Sequence, residues 1–392
     1  MSTRTPGAGL LGAGRLTATA VLAALSVCPA SSDAGSAGPR TLGFTVTYLE
    51  PARSLSTALD CPSGFNVGPN IEATLSRYPE SERQRIRDNR LLLYRALMHR
   101  GPTGPNICLH PTAEPDPGYL IGQSTAQRGL DLQSGLPAGQ ACDHPRGTDP
   151  ETRLWVDNQF NRVQACTQSL IERNSGAAED RADKQSAAIV SGTMTVLLEV
   201  RGIDDLKNDP DVELGIYSSA DPVMLEKSGK ALTDATFHVL ADRKFQTVVH
   251  GHIENGVLTT DYTDISVLTD HSVSKLDGAR HTLDWKLAQI RLKFQEDGSV
   301  VGILGGYADW EKVYERRTRG GTASLNNAMG SVSELQGNFT CSGYYNALRR
   351  AADAFPDPQT GQCTRISTVY DVRAVPAFIV HPHDSATKVA HN

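Results

Sequence analysis

The chain lacks the common sequence signatures of catalysis. It has no Gly-x-Ser-x-Gly elbow, no His-Glu-x-x-His and no phosphate loop of Gly-x4-Gly-Lys-Ser/Thr form. It also has no Cys-x-x-Cys and no Cys-x-x-Cys-His haem site. These absences set aside the hydrolase, metallopeptidase, nucleotidase and thiol-redox classes that announce themselves locally. They leave a carboxylate pair for glycoside hydrolysis open, because such a pair needs closeness in space and not in sequence. A surplus of positive charge is lacking too. Lys and Arg number 38 against 44 Asp and Glu, a net charge of −6. That balance argues against nucleic acid as a partner, since phosphate binding needs a basic surface. Beyond the N-terminus no segment is apolar enough to span a bilayer.

What is present describes an exported globular chain. Hydrophobic residues make up 39% and charged residues 21% of 392, a globular composition with material for a large core. Arg4 and Arg15 precede the apolar run Leu16 to Val27, which fits a signal-peptide core and is short for a membrane span. Small residues follow, and cleavage is expected after Ala30 or Ala34. Loss of residues 1–34 removes two arginines and one aspartate, taking the net charge from −6 to −7. A rival reading makes Cys28 of "LSVC" a lipid attachment site. Bulky Val27 and the following Pro29 favour cleavage instead. The other six cysteines, Cys61, Cys108, Cys142, Cys166, Cys341 and Cys363, then form an even set. In an oxidising compartment they imply three disulfides, with sequential pairing as the simplest arrangement.

The pattern changes along the chain. Residues 35–180 read as a helical, loop-rich, cysteine-containing region. It holds an early strand "LGFTVTYLE", a helical pair over 70–101 and a Pro- and Gly-rich stretch over 101–150. The second helix of the pair carries six Arg, but three interleaved acids make it a solvated face and not a nucleic-acid patch. A further helix, "ETRLWVDNQFNRVQACTQSLIERN", precedes a small, charged linker over 175–186. Residues 181–380 read as strands, with short helices near 307–319 and 341–354, and residues 381–392 as a disordered tail. "VVHGHIENGVLTTDY" turns about Asn255-Gly256, a strong hairpin signal. A second hairpin turns about Asp297-Gly298, and its alternation shifts phase near Ala288-Gln289, which predicts a β-bulge. Hairpin-joined strands without β-α alternation predict a mainly β fold, α+β overall. The expectation is an antiparallel sandwich or jelly roll with a disulfide-pinned helical N-terminal half.

Five candidate clusters follow. His250, His252 and Glu254 alternate on a strand and so share one face, where they could hold a divalent metal; a half-exposed hairpin has the same polar face. Asp204, Asp205, Asn208, Asp209 and Asp211 crowd one turn and make calcium the candidate cofactor, against a plain solvated turn. Cys108-x-His110 and Cys142-x-His144 share a spacing that a zinc site could use, although disulfides with incidental histidines are favoured. Asp157, Asn158, Gln159 and Arg162, with Asn161, are expected to line a ligand cleft or to form a buried polar network. Asn338 in Asn-Phe-Thr is an acceptor for glycosylation in a eukaryotic secretory path. The reading favoured by the sequence is an exported soluble or surface-associated binding protein, with carbohydrate as a candidate ligand. The alternatives are an exported saccharide hydrolase using a carboxylate pair and a metal-dependent enzyme.

Overall fold

A computed structural model describes residues 39–52, 60–66, 71–97, 108–113, 116, 118–167, 188–189, 192–269, 282–319 and 341–382. The predicted signal segment, Cys28, the 175–186 linker, Asn338 and residues 383–392 lie outside the described residues.

Eight strands make the barrel, in chain order: β1 (Arg40–Pro51), β2 (Thr195–Ile203), β3 (Asp209–Ser219), β4 (Gln246–Glu254), β5 (Val257–Thr260), β6 (Thr282–Phe294), β7 (Val300–Asp309) and β8 (Cys363–Val380). Each pairs antiparallel with the next, and β8 pairs back onto β1 through Phe44↔Pro376 to Pro51↔Tyr370. The sheet is therefore a closed eight-stranded antiparallel barrel, not the expected sandwich or jelly roll. Both architectures present the same alternation along each strand. The β1–β8 pairing decides between them, and closure removes the unpaired edges that a sandwich retains. The helical N-terminal half is also not seen. Its first strand is a stave of the barrel, and its helices are short: α1 (Ile71–Leu75), α2 (Glu80–Asp88), α3 (Arg90–Leu97) and α4 (Gln159–Ala165).

Local chemistry explains several element ends. The long helix predicted after Pro79 breaks at Asn89, whose backbone is extended and whose Oδ1 accepts the Leu91 and Leu92 amides to restart α3. The predicted helix over 151–174 starts only at Gln159, because Asn158 caps it by accepting the Asn161 amide. Trp155 and Val156, expected in that helix, instead pair with Thr148 and Gly147 as a two-stranded ribbon. The Asn-Gly turn is a hairpin in which Asn255 (φ 53°) and Gly256 (φ 77°) both adopt left-handed backbone, as a type I′ turn requires. The bulge near Ala288 is present: register shifts between Lys286 and Gln289, with Leu287 at φ 46°. The two later helices are α5 (Trp310–Arg319) and α6 (Cys341–Ala351), and Tyr307 belongs to β7.

Alternation sorts the barrel residues to two faces. Inward side chains such as Val46, Leu198, Trp285, Leu304 and Val372 form one core, continuous with residues from α1–α6. The barrel interior retains a cavity of about 20 Å³ lined by apolar side chains, including Val196, Val267 and Ile290. Small-molecule pockets measure roughly 300–1,000 Å³, so among the described residues this part of the interior is packed and not a ligand chamber. Outward side chains of β7 and β8 are covered by the loop layer 118–157. Leu130 and Leu132 of that layer pack with Ile303, Tyr307 and Val369 as a second, smaller core. Three disulfides hold the covering segments: Cys61–Cys166, Cys108–Cys341 and Cys142–Cys363. All six cysteines pair, but none in the sequential pattern expected.

Candidate functional site

The loop layer and the barrel enclose a charged cluster. His144 follows Cys142 by two residues, so the Cys142–Cys363 disulfide anchors it beside β8. Asp157 immediately precedes the cap of α4. Asp353 leaves α6 and is stitched in place by its backbone, which donates to Arg365 O and accepts from the Cys142 amide. These elements bring His144 Nε2 to 3.1 Å from Asp157 Oδ1 and 3.6 Å from Asp353 Oδ2. Both carboxylate side chains are fully buried and the imidazole nearly so.

The remaining contacts define the charges. Asp157 Oδ1 also meets Arg146 Nε at 3.3 Å, while Oδ2 accepts the Gln133 amide at 2.8 Å. Arg146 Nη2 bonds Asp131 at 2.5 Å, and the Tyr262 hydroxyl donates to the Asp131 carbonyl at 2.6 Å. Asp353 Oδ1 accepts the Ser367 amide at 2.7 Å. Within the described residues, Asp353 Oδ2 and the Tyr307 hydroxyl find no hydrogen-bond partner although both are buried. Arg146 and Asp131 form the part-exposed rim.

The environment pushes the two carboxyls apart. Burial dominates at Asp353 and pushes it up to about 7, despite the charge of His144 and the Ser367 amide. Burial works the same way at Asp157, but the hydrogen bond from His144, the Gln133 amide and Arg146 together hold it below the usual carboxylate range. Burial would lower His144, yet the Asp157 bond, the Asp353 charge and the Cys142 carbonyl raise it. Tyr307 is raised by burial and by the neighbouring Asp353 and Asp157. One geometric fact supports the imidazole direction independently. Nδ1 lies 2.8 Å from the Cys142 carbonyl and Nε2 faces Asp157, so both ring nitrogens face acceptors. Only the doubly protonated ring can donate to both.

Of the residues expected to line a cleft, only Asp157 belongs to this cluster. Asn158 donates to the Ala52 and Arg128 carbonyls, the Gln159 side chain to the Pro145 carbonyl, and Arg162 Nε to the Gly122 carbonyl. Asn158, Gln159, Asn161 and Arg162 are all buried, as a structural polar network needs. His144 was expected to be incidental and is central. Its companions Arg146, Asp131, Tyr307 and Asp353 were not singled out in the sequence. The available signal for Asp353 is a lone acid among Ala351, Ala352, Ala354 and Phe355, an apolar setting unusual for an exposed aspartate.

The other candidate clusters are placed as follows. Cys108 and Cys142 are spent in disulfides, which removes both thiols from the proposed zinc set. His250, His252 and Glu254 lie exposed on the outer side of β4, opposite the buried Val249 and Ile253. His250 Nδ1 pairs with Asp211 at 3.1 Å. Hydrogen bonds from the Asp204, Asp211 and Asp205 amides hold Asp209 below the usual carboxylate range. Asp205 accepts the Lys207 amide and Asn208 the Asn255 amide. Among the described residues no group of three or more His, Cys, Asp or Glu is arranged to hold a metal ion, and no helix is long and apolar enough to cross a membrane. No family model, curated protein or solved structure matches the chain.

Proposed function

We propose that the chain is an exported binding protein that works through the outside of a disulfide-pinned barrel. The carrying observation is the filled interior. An up-and-down barrel that carries a small ligand keeps an open chamber, and the interior cavity here is about 20 Å³. Three disulfides support an oxidising compartment. On the outer layer, the ribbon at 147–156 holds Leu154 59% and Trp155 63% exposed. Asp149 stiffens this ribbon by accepting the amides of Glu151, Thr152 and Gly129. A rigidly held, exposed indole suits stacking on the face of a sugar ring, which supports carbohydrate as the ligand class.

One observation favours the saccharide-hydrolase reading: Asp157 and Asp353 border the same imidazole and are pushed in opposite directions, the pattern that separates acid from base. It ranks second because both carboxylates are fully buried beneath the loop layer, out of reach of a substrate.

The test is a panel of soluble saccharides and fatty acids titrated against the full chain, read by tryptophan fluorescence and by product analysis. The binding reading expects a saturable saccharide signal that Trp155→Ala abolishes without moving the melting temperature. One-to-one uptake of a fatty acid, or release of saccharide product, would overturn it.

A further inference from the structure

We infer that Arg146 and Asp131 form the polar half of the saccharide site whose aromatic half is Trp155, and that they read two adjacent hydroxyls of an uncharged sugar ring stacked on the indole. This inference rests on the binding reading above and assigns the residues that decide which sugar is held.

The register of the ribbon sets the two halves side by side. Thr148 pairs with Trp155, and Gly147 with Val156. Paired residues share a face, and consecutive residues alternate between faces. Val156 is buried, and a Cβ on Gly147 would lie 2.9 Å from Gln127 Cδ, so that pair faces inward. Thr148 and Trp155 therefore face outward. One step further from the turn, on the same face, come Arg146 and Asp157, and their side chains meet at 3.3 Å, Nε to Oδ1. Two residues of strand advance the chain by roughly 7 Å, a span that one pyranose and its hydroxyls cover. Asp157 is closed over by the turn at 131–135 through the Gln133 amide. Asp131, at the start of that turn, comes forward beside Arg146, and the two side chains are 41% and 28% exposed.

Both rim groups are held before any ligand arrives. Arg146 Nε is fixed on Asp157, whose buried carboxylate is gripped by His144 and the Gln133 amide. Arg146 Nη2 is fixed on Asp131 Oδ1. The Tyr262 hydroxyl, from the barrel, holds the Asp131 carbonyl, and its ring lies against Gly135, where a Cβ would meet it at 2.8 Å. Side chains fixed in this way lose little rotamer freedom on binding. The buried charges thus aim a guanidinium at the surface beside the indole.

The bonding capacity left over defines the ligand. A guanidinium carries five N–H donors. Among the described residues the hydrogen bonds of Arg146 use Nε and Nη2, which leaves Nη1. A carboxylate offers about four acceptor positions. Asp131 fills them with Arg146 Nη2, the Ser134 amide and the Ser134 hydroxyl, and keeps room for one more donor. A donor beside an acceptor fits two neighbouring hydroxyls, one accepting from Nη1 and the other donating to Asp131. The charge of Arg146 is already matched by Asp157 and Asp131, so a carboxylate or sulfate on the sugar would meet the Asp131 charge. The pair therefore selects for the arrangement of hydroxyls and against acidic sugars.

Tryptophan fluorescence of the full, disulfide-intact chain tests this, because Trp285 and Trp310 are buried and Trp155 is exposed. The probes are the methyl glycosides of glucose, mannose and galactose, the monodeoxy analogues of the tightest of them, and its uronic acid. Two analogues, lacking adjacent hydroxyls, should bind more weakly than the parent by about tenfold or more, as for lost hydrogen bonds to charged groups. The other analogues should bind like the parent, and the uronic acid more weakly. Asp131→Asn keeps an oxygen for Arg146 Nη2, and it should bind the parent as weakly as the native chain binds the analogue lacking the donating hydroxyl. It should no longer distinguish the two. Should that variant not fold, Arg146→Lys gives the same comparison at the accepting hydroxyl. Saturable binding that Trp155→Ala abolishes, but that is equal for every monodeoxy analogue or keeps its discrimination in the rim variant, would overturn the inference and leave the binding reading standing. No saturable binding of any probe would overturn both.

Discussion

The inside of the barrel and the outer face of β7 and β8 both bury large areas, but with different materials. The inside is filled by aliphatic side chains with Phe44, Trp285 and Tyr370 and keeps a cavity of about 20 Å³. The outer face buries a small apolar core beside an imidazole, two carboxyls and a tyrosine hydroxyl with no partner among the described residues, rimmed by a part-exposed arginine. An aliphatic core is insensitive to pH and to the identity of any one polar group. A mixed layer depends on each charge keeping its partner, because an unpaired buried charge costs several kcal/mol. The lesson is where to look for behaviour: the interior supplies stability, and the layer outside it supplies the chemistry that can change.

The comparison breaks most readily at Asp157. Asp157→Ala leaves His144, Arg146 and the Gln133 amide without their shared acceptor, and should cost about 3–5 kcal/mol in chemical denaturation. A cost under about 1 kcal/mol would show that the charges are solvated and the two faces alike. The opposite sign is expected at Tyr307. Among the described residues its buried hydroxyl finds no partner, so Tyr307→Phe removes a desolvated group and should be neutral or stabilising by up to about 1 kcal/mol. A loss of 2 kcal/mol or more (the usual cost of a satisfied buried hydroxyl is about half that) would contradict the account.

The smallest effect belongs to the outer residues first considered for metals. Asp209 spends its oxygens on backbone amides, and His252 stands exposed on β4. The melting temperature should therefore stay put on adding millimolar calcium or zinc. A site filled at a hundredfold excess would add about 2.7 kcal/mol, a rise too large to miss.

Local structure was readable in the sequence where one short segment determines it. Asn255-Gly256 makes its hairpin through its own backbone preferences, and the phase slip after Trp285 marks the bulge because alternation counts residues. Closure was not readable. It depends on Phe44 meeting Pro376, and periodicity carries no information about which strand is whose neighbour. The disulfides failed for the same reason: the bonded cysteines stand 105, 233 and 221 residues apart. At the charged cluster, Asp157 stood out through its polar neighbours, yet those neighbours turned out to tie loops together. His144 was hidden because it is ordinary in its own segment; Asp353 carried a signal in its apolar neighbours, but the two acquire a shared role only when the loop layer covers the closed barrel.

The central claim is that a buried proton-binding cluster, and not the apolar interior, sets how the protein responds to its surroundings. Asp353 tests it most directly. Its carboxyl is raised to about 7 when folded and sits near about 3.9 when unfolded, so the folded state holds the extra proton between these values. Stability contributed by this group is full below about 3.9 and is lost as the pH climbs through about 7. His144, also raised, acts in the same direction. Asn at 353 mimics the neutral acid and keeps an oxygen for the Ser367 amide. Denaturation of the native chain and of Asp353→Asn, measured side by side, should agree below about pH 3.9. By about pH 9 the two should diverge, with the variant more stable by an amount on the order of a few kcal/mol. A variant less stable than the native chain at about pH 9, or two curves parallel across the range, would contradict the account.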